Sequence, residues 1–174
     1  MAKTPPKKKS TKTKSAVAAS LDFTPGYWTS RWKEALIIPL LAFSLYWMCL
    51  PYGYVLDDQI VITDNKFTQK GVAGIWDILS TESFTGYFGE QKDLVAGARY
   101  RPLSIVTFAV EQTVFGDNPF IRHFINILLY GLCGLLIMRV FAILLPSKQN
   151  TPWLLSIPFL TAALYILHPV HSEV

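Results

Sequence analysis

Charge is scarce in this sequence: Asp, Glu, Lys and Arg make up 16% of 174 residues, against 51% hydrophobic and 14% aromatic. An ordinary soluble domain carries about a quarter charged residues, so the composition points to a membrane protein. Cysteine is nearly absent. Cys49 and Cys133 each lie inside an apolar run; neither spacing nor setting makes a disulfide framework or a metal site, and both are expected to be small buried hydrophobes. A small-x-small cleavage site is missing after the first apolar run, which exits through Cys49-Leu-Pro-Tyr-Gly-Tyr54. That run is also longer than a signal-peptide core, so it is expected to be a retained helix. Trp47 and Met48 are too bulky for a lipoprotein processing site. No 34-residue helical repeat is present either.

The charge that is present is unevenly placed. Lys3, Lys7, Lys8, Lys9, Lys12 and Lys14 crowd the start, while residues 57–101 carry more acids than bases. Residues 1–30 hold little that folding would bury and are expected to form a disordered basic tail on the cytoplasmic side. Tyr27, Trp28 and Trp32, with Arg31 and Lys33, resemble an interfacial collar.

The remainder, 31–174, is expected to be an all-α membrane domain with spans at about 35–54, 120–145 and 153–167 and an outer loop at 57–118. Within the loop, Val72, Ile75, Trp76 and Leu79 recur at i, i+3, i+4, i+7 and predict an amphipathic helix, facing either the membrane or the protein. Thr85-Gly-Tyr-Phe-Gly89 is expected to break it. A second loop helix is predicted over 102–110, with Pro102 at N1 and an end at Glu111. Asn118 and Pro119 are an N-cap and an N1 residue for the second span, which has Arg122 and His123 at its outer end and Arg139 placed to snorkel inward. Residues 146–152 are a short cytoplasmic turn. The chain stops one residue after Glu173 and is expected to be part of a longer protein.

Two adjacent carboxylates, Asp57 and Asp58, fall just past the first span. Carboxylates so near hydrocarbon are costly and are either functional or markers of a helix end. Two reversals later, His168-Pro-Val-His-Ser-Glu173 emerges on the same side. The acidic pair, Arg99-Tyr-Arg-Pro-Leu103 in the loop, and this histidine motif occur in one order and on one side of the membrane. Together they resemble the N-terminal region of the membrane O-mannosyltransferase-like proteins that carry tetratricopeptide repeats, within the GT-C superfamily of glycosyltransferases that use polyprenyl-phosphate sugars. The resemblance covers about 52–174.

It implies three N-terminal helices of a larger GT-C bundle, and inverting transfer of a mannose-like sugar from a polyprenyl-phosphate donor to an acceptor hydroxyl, of protein Ser or Thr, on the periplasmic or lumenal face. By the family pattern Asp57 and Asp58 supply the catalytic carboxylate, one as base and one as support, with Asp58 favoured as base because it lies farther from the membrane. Arg99 and Arg101 have the fork geometry for the leaving phosphate. His168 and His171 are placed to donate hydrogen bonds to it, and Glu173 to orient a histidine tautomer. The histidine spacing is not that of a helical zinc pair; a metal role is left open and a divalent cation remains possible. The pair is Asp-Asp, whereas classical protein O-mannosyltransferases use Asp-Glu. Expected partners are membrane lipid, the lipid-linked sugar and a protein acceptor, with no nucleic acid. The 174 residues alone are expected to insert but not to transfer sugar. The rival readings are a non-catalytic repeat-bearing membrane scaffold and a transporter; the latter would carry ionisable residues at midplane depth.

Overall fold

The computed structural model describes residues 26–55, 57–90, 100–145 and 152–171, and every regular element among them is helical. After a single turn, α1 (Tyr27–Ser30), come α2 (Trp32–Tyr46), α3 (Lys66–Gln69), α4 (Ile75–Ser80), α5 (Thr85–Phe88), α6 (Pro102–Phe115), α7 (Pro119–Leu144) and α8 (Ile157–Leu167). Residues 1–25 of the expected tail and 146–151 of the expected turn lie outside the described residues.

Two helical stretches are long and apolar enough to cross a bilayer: Trp32–Cys49, where α2 tightens into a 3-10 turn, and Pro119–Leu144. At 1.5 Å per residue these are about 27 and 39 Å, against roughly 30 Å of hydrocarbon. The first ends sooner than expected because Pro51 lacks the N–H that would continue it, and residues 52–55 have no regular structure. The third expected span is corrected. After a 3-10 turn over Trp153–Leu155 the chain breaks at Ser156, and α8 has 11 residues, about 16 Å and too short to cross alone.

Helices α2, α7 and α8 nevertheless share one core: Ile38 and Ala42 from α2, Tyr130 and Met138 from α7, Phe159, Ala162 and Ile166 from α8. Hydrocarbon gives such helices no hydrophobic reason to associate, so close backbone approach has to do it. Gly131 lies against Pro39, and a Cβ at Gly134 would sit 2.8 Å from the Ile38 Cγ2 and 3.0 Å from the Ile166 Cδ1. The Tyr130 hydroxyl donates to the Tyr165 and Ile166 carbonyls, each at 3.1 Å, satisfying helix-end acceptors where no water would. At the far end, the Arg139 guanidinium stacks 4.1 Å over the Tyr27 ring, and Arg31 pairs with buried Glu34 at 3.0 Å. Cys133 is exposed and Cys49 half-buried, both free; the expectation of burial fails because the apolar runs face outward as well as inward.

Residues 57–90 and 100–115 form a layer between the two long apolar helices. Its core is Ile78, Ile105 and Ala109, with Phe67, Ile75 and Val106 around them. The backbone N–H of Val72 donates to the Thr113 hydroxyl (2.9 Å), and the Tyr100 hydroxyl to the Leu79 carbonyl (2.6 Å), so α4 and α6 run antiparallel. The predicted stripe is rotated: Ile75 and Ile78 face inward while Val72, Trp76 and Leu79 are exposed, because Gly71 and Gly74 let the chain close onto Thr113 and Phe67. Helix α6 runs past Glu111 to Phe115, since Glu111 lies on the side facing Arg122 rather than in the layer's core. The expected break at 85–89 is a helical turn, α5, ended by Gly89 at φ 79°.

Asn65 knits this layer together. It is 1% exposed. Its side-chain oxygen accepts from Phe67 N (3.1 Å) and Thr68 N (3.3 Å), capping α3, and its amide nitrogen donates to the carbonyls of Ile60 (3.2 Å) and Ser83 (3.3 Å). A Cβ on Gly86 would collide with that amide. Removing the side chain strands buried backbone groups at about 1–3 kcal/mol each. Asn65→Ala should therefore leave membrane insertion unchanged but expose residues 57–90 to limited proteolysis, and Gly86→Leu should do the same. Parental protease resistance in both variants would contradict this role for Asn65.

Candidate functional site

The acidic pair opens a helical turn that widens at once into a π-helical segment, Gln59–Thr63, closed by Asp64 N donating to the Gln59 carbonyl at 2.9 Å. Such segments are rare and frequent at functional sites. Three of its carbonyls are taken by side chains from the start and body of α3: Ile60 by Asn65, Val61 by the Thr68 hydroxyl (2.7 Å) and Ile62 by the Gln69 amide (2.9 Å). The sequence Asn65-Lys-Phe-Thr-Gln69 thus holds the backbone that follows the two carboxylates.

The two aspartates are held differently. Asp58 is half-buried, and its carboxylate accepts from Val55 N at 3.0 Å while its own N–H donates to the Val55 carbonyl at 3.0 Å. That reciprocal pair fixes the turn after the first span. Asp57 is exposed, with no hydrogen bond or ion pair to its carboxylate among the described residues. It lines a cavity of about 160 Å³ together with Arg101, Ser83, Phe84, Ser104 and Phe108. A closed apolar cavity of about 150 Å³ holds one benzene-sized ring, and this one is open on one side.

Arg101 reaches that cavity from the residue before α6, where Pro102 occupies the first helical turn. Its backbone N–H donates to the Ser83 hydroxyl at 2.9 Å, and the Ser83 carbonyl is bound by Asn65. A chain of hydrogen bonds therefore runs from the π-helical segment through Asn65 and Ser83 to Arg101, fixing the two sides of the cavity relative to each other. Sequence patterns single out neither Asn65 nor Ser83. The only signal was local: Asn65 stands three residues before Thr68, an N-cap position ahead of a helix too short to show periodicity.

Of the remaining expected site residues beyond the acidic pair, His168 alone has a described side chain, and it does not line this cavity. Arg99 and Glu173 lie outside the described residues, as does the side chain of His171. His168 ends α8, and its Nδ1 accepts from Val170 N at 3.2 Å, which leaves Nε2 to carry the proton of a neutral ring. The last turn of α8 is bound to Tyr130, eleven positions into α7, so His168 is set on the order of 10 Å along the bundle from the start of α7. Among the described residues no three His, Cys, Asp or Glu side chains gather as metal ligands.

Behind the acidic pair, Tyr54 lies under Arg122, with 5.5 Å between guanidinium carbon and ring centroid. Burial, and then the nearby Asp117 carboxylate, push the Tyr54 phenol well above its ordinary range; Arg122 pulls the other way. Burial likewise raises the Glu111 carboxyl, again opposed by Arg122.

No protein-family model matches the chain, and no solved structure matches it. Curated proteins do. The chain is 29% identical over 131 residues, 72% of its length, to human "Protein O-mannosyl-transferase TMTC1". It is 29% identical over 153 residues (80%) to "Protein O-mannosyl-transferase Tmtc3" of Drosophila melanogaster and 30% identical over 134 residues (76%) to Tmtc2 of the same organism. It spans only 14%, 16% and 13% of those relatives respectively. The group to which three short motifs pointed is therefore the group to which most of the chain is similar.

The unequal surroundings of the two carboxylates have a stability signature. Asp58→Ala removes a charge-assisted bond and should destabilise the inter-span layer by about 1–2 kcal/mol, whereas Asp57→Ala should stay within about 0.5 kcal/mol of the parent. Denaturant unfolding in detergent, followed by hydrogen exchange of residues 57–70, checks the order; equal losses would contradict it.

Proposed function

We propose that this chain is part of an integral-membrane, GT-C-type glycosyltransferase that moves a mannose-like sugar from a polyprenyl-phosphate carrier to a Ser or Thr hydroxyl of a protein, on the membrane face opposite the lysine-rich tail. The observation that carries the reading is that Asp57 and Arg101 line one cavity. The similarity to proteins named O-mannosyl-transferases supports it.

The chemistry follows from the two charges. The acceptor oxygen attacks the anomeric carbon, its proton passes to the Asp57 carboxylate, and the bond from the anomeric carbon to the phosphate oxygen breaks. The lipid phosphate leaves with the bonding pair, and its added negative charge falls to Arg101, whose planar fork suits phosphate. Attack from the face opposite the leaving group inverts the anomeric centre. Asp57 takes the base role here rather than Asp58, whose carboxylate is already engaged by Val55 N. Phe84 and Phe108 offer apolar faces to a sugar ring. A divalent cation, if used, has Asp57 as its available carboxylate here; no step above is routed through it.

In the full-length protein, Asp57→Asn cannot accept the proton and should slow transfer by about 10²–10⁴-fold. Asp58→Asn, which still accepts from Val55 N, should be milder, and Arg101→Lys should impair transfer despite keeping the charge. Single-turnover assays with a polyprenyl-phosphate mannose donor read all three. Parental rates for both Asn variants would return the carboxylates to helix-end markers and favour the membrane-anchored scaffold. Orientation is tested separately: cysteines placed at 70 and 90 should react with an impermeant reagent from the side opposite the tail, and protection of both would reverse the topology.

A further inference from the structure

Arg122 is 6% exposed at the start of α7, and it forms no ion pair among the described residues. Its Nε and Nη1 are buried without a partner there, as is Oε2 of Glu111. Nη2 donates to the Gln112 side-chain oxygen. The amide nitrogen of Gln112 in turn donates to the Gln69 side-chain oxygen at 3.2 Å, and the Gln69 nitrogen donates to the Ile62 carbonyl at 2.9 Å. A buried, under-satisfied arginine at a membrane boundary is expensive to keep.

The relay has a particular destination. Ile62 lies in the π-helical segment directly after the acidic pair, and Tyr54, whose ring centre is 5.5 Å from the same guanidinium carbon, lies three residues before it. One side chain of the second span thus grips the chain on both sides of Asp57. Glu111, Gln112 and Tyr54 face the guanidinium, with Asp117 and Asp58 beyond Tyr54. The arginine itself is not in the cavity lining.

We propose that Arg122 is a positioning residue: through Gln112, Gln69 and the Tyr54 ring it registers Tyr54 and residues 57–62 against the second span and so sets where Asp57 stands above the membrane. This rests on the transferase reading for its catalytic consequence but not for its structural one. A guanidinium fits the role because its delocalised charge can lie over the Tyr54 ring while an N–H at its edge donates to Gln112. A lysine offers one charge and no plane.

The test uses the full-length protein in nanodiscs, as Arg122→Gln, Arg122→Lys and Gln112→Ala. Gln112→Ala breaks the relay while leaving the arginine in place, and it covers the case in which Arg122→Gln fails to fold. Hydrogen exchange across 57–63 is expected to speed up at least tenfold in Arg122→Gln and Gln112→Ala, with exchange in the 125–140 stretch of α7 unchanged. Turnover with a polyprenyl-phosphate mannose donor should fall at least tenfold in kcat with KM for the donor within twofold, and Arg122→Lys should rescue little of it. Unchanged exchange at 57–63 in both relay variants overturns the proposal. So does a rise in donor KM with kcat intact, which would make Arg122 a binding group. Faster exchange at 57–63, with neither parent nor variants transferring sugar, would sustain the positioning role and sink the transferase reading alone.

Discussion

Every helix end leaves its last carbonyls without partners, and here the π-helical turn Gln59–Thr63 leaves three of them in a layer that follows a helix long and apolar enough to cross a membrane, where unpaired polar groups are costly. The carbonyls of Ile60, Val61 and Ile62 are taken by the side chains of Asn65, Thr68 and Gln69. The same Asn65 caps the helix that presents Thr68 and Gln69, and binds the Ser83 carbonyl across the layer. The carboxylate at position 57, the arginine at 101 and the cavity between them all hang on that set of bonds. Gly86 belongs to the same constraint, because any side chain there would displace the amide.

Among the described residues the layer is joined to the bundle by polar contacts rather than by a shared apolar core. Its own core, around Ile78 and Ile105, is separate from that of α2, α7 and α8. Between them stand the Arg122 relay and the Tyr54 ring. Two packed bodies joined by a few directional bonds can be set precisely yet shifted at small cost. Inside the bundle the logic differs: Gly131 and Gly134 let backbones approach, and Tyr130 closes the end of α8.

Much of the helical order was legible because hydrophobic run length and N-terminal signals are local properties. Asn118 and Pro119 marked the start of α7, and Pro102 that of α6, where the structure has them. The third span was misread because apolar composition continues through Trp153–Leu155 while the backbone does not; hydropathy counts residues and is blind to the break at Ser156. Glu111 was taken as a helix end for the converse reason: a charge inside a helix is tolerated when a neighbouring element supplies a counter-charge, and that neighbour, Arg122, is remote in the fold's logic though near in sequence. The motifs singled out the acidic pair and Arg101 as candidates, and the structure places Asp57 and Arg101 on one cavity. Which aspartate faces the cavity was not legible, since that turns on a single bond from Val55 N to Asp58. Asn65 and Ser83 act through contacts that no periodicity encodes.

The central claim is geometric: Asp57, and not Asp58, shares a cavity with Arg101. Paired cysteines test it directly. In full-length protein with Cys49 and Cys133 replaced by serine, 57/101 and 58/101 cysteine pairs would be treated in membranes with a short bifunctional thiol reagent, and the intramolecular cross-link quantified by mass spectrometry. The account predicts ready cross-linking of the 57/101 pair and little of the 58/101 pair. An equal or greater yield at 58/101 would contradict it.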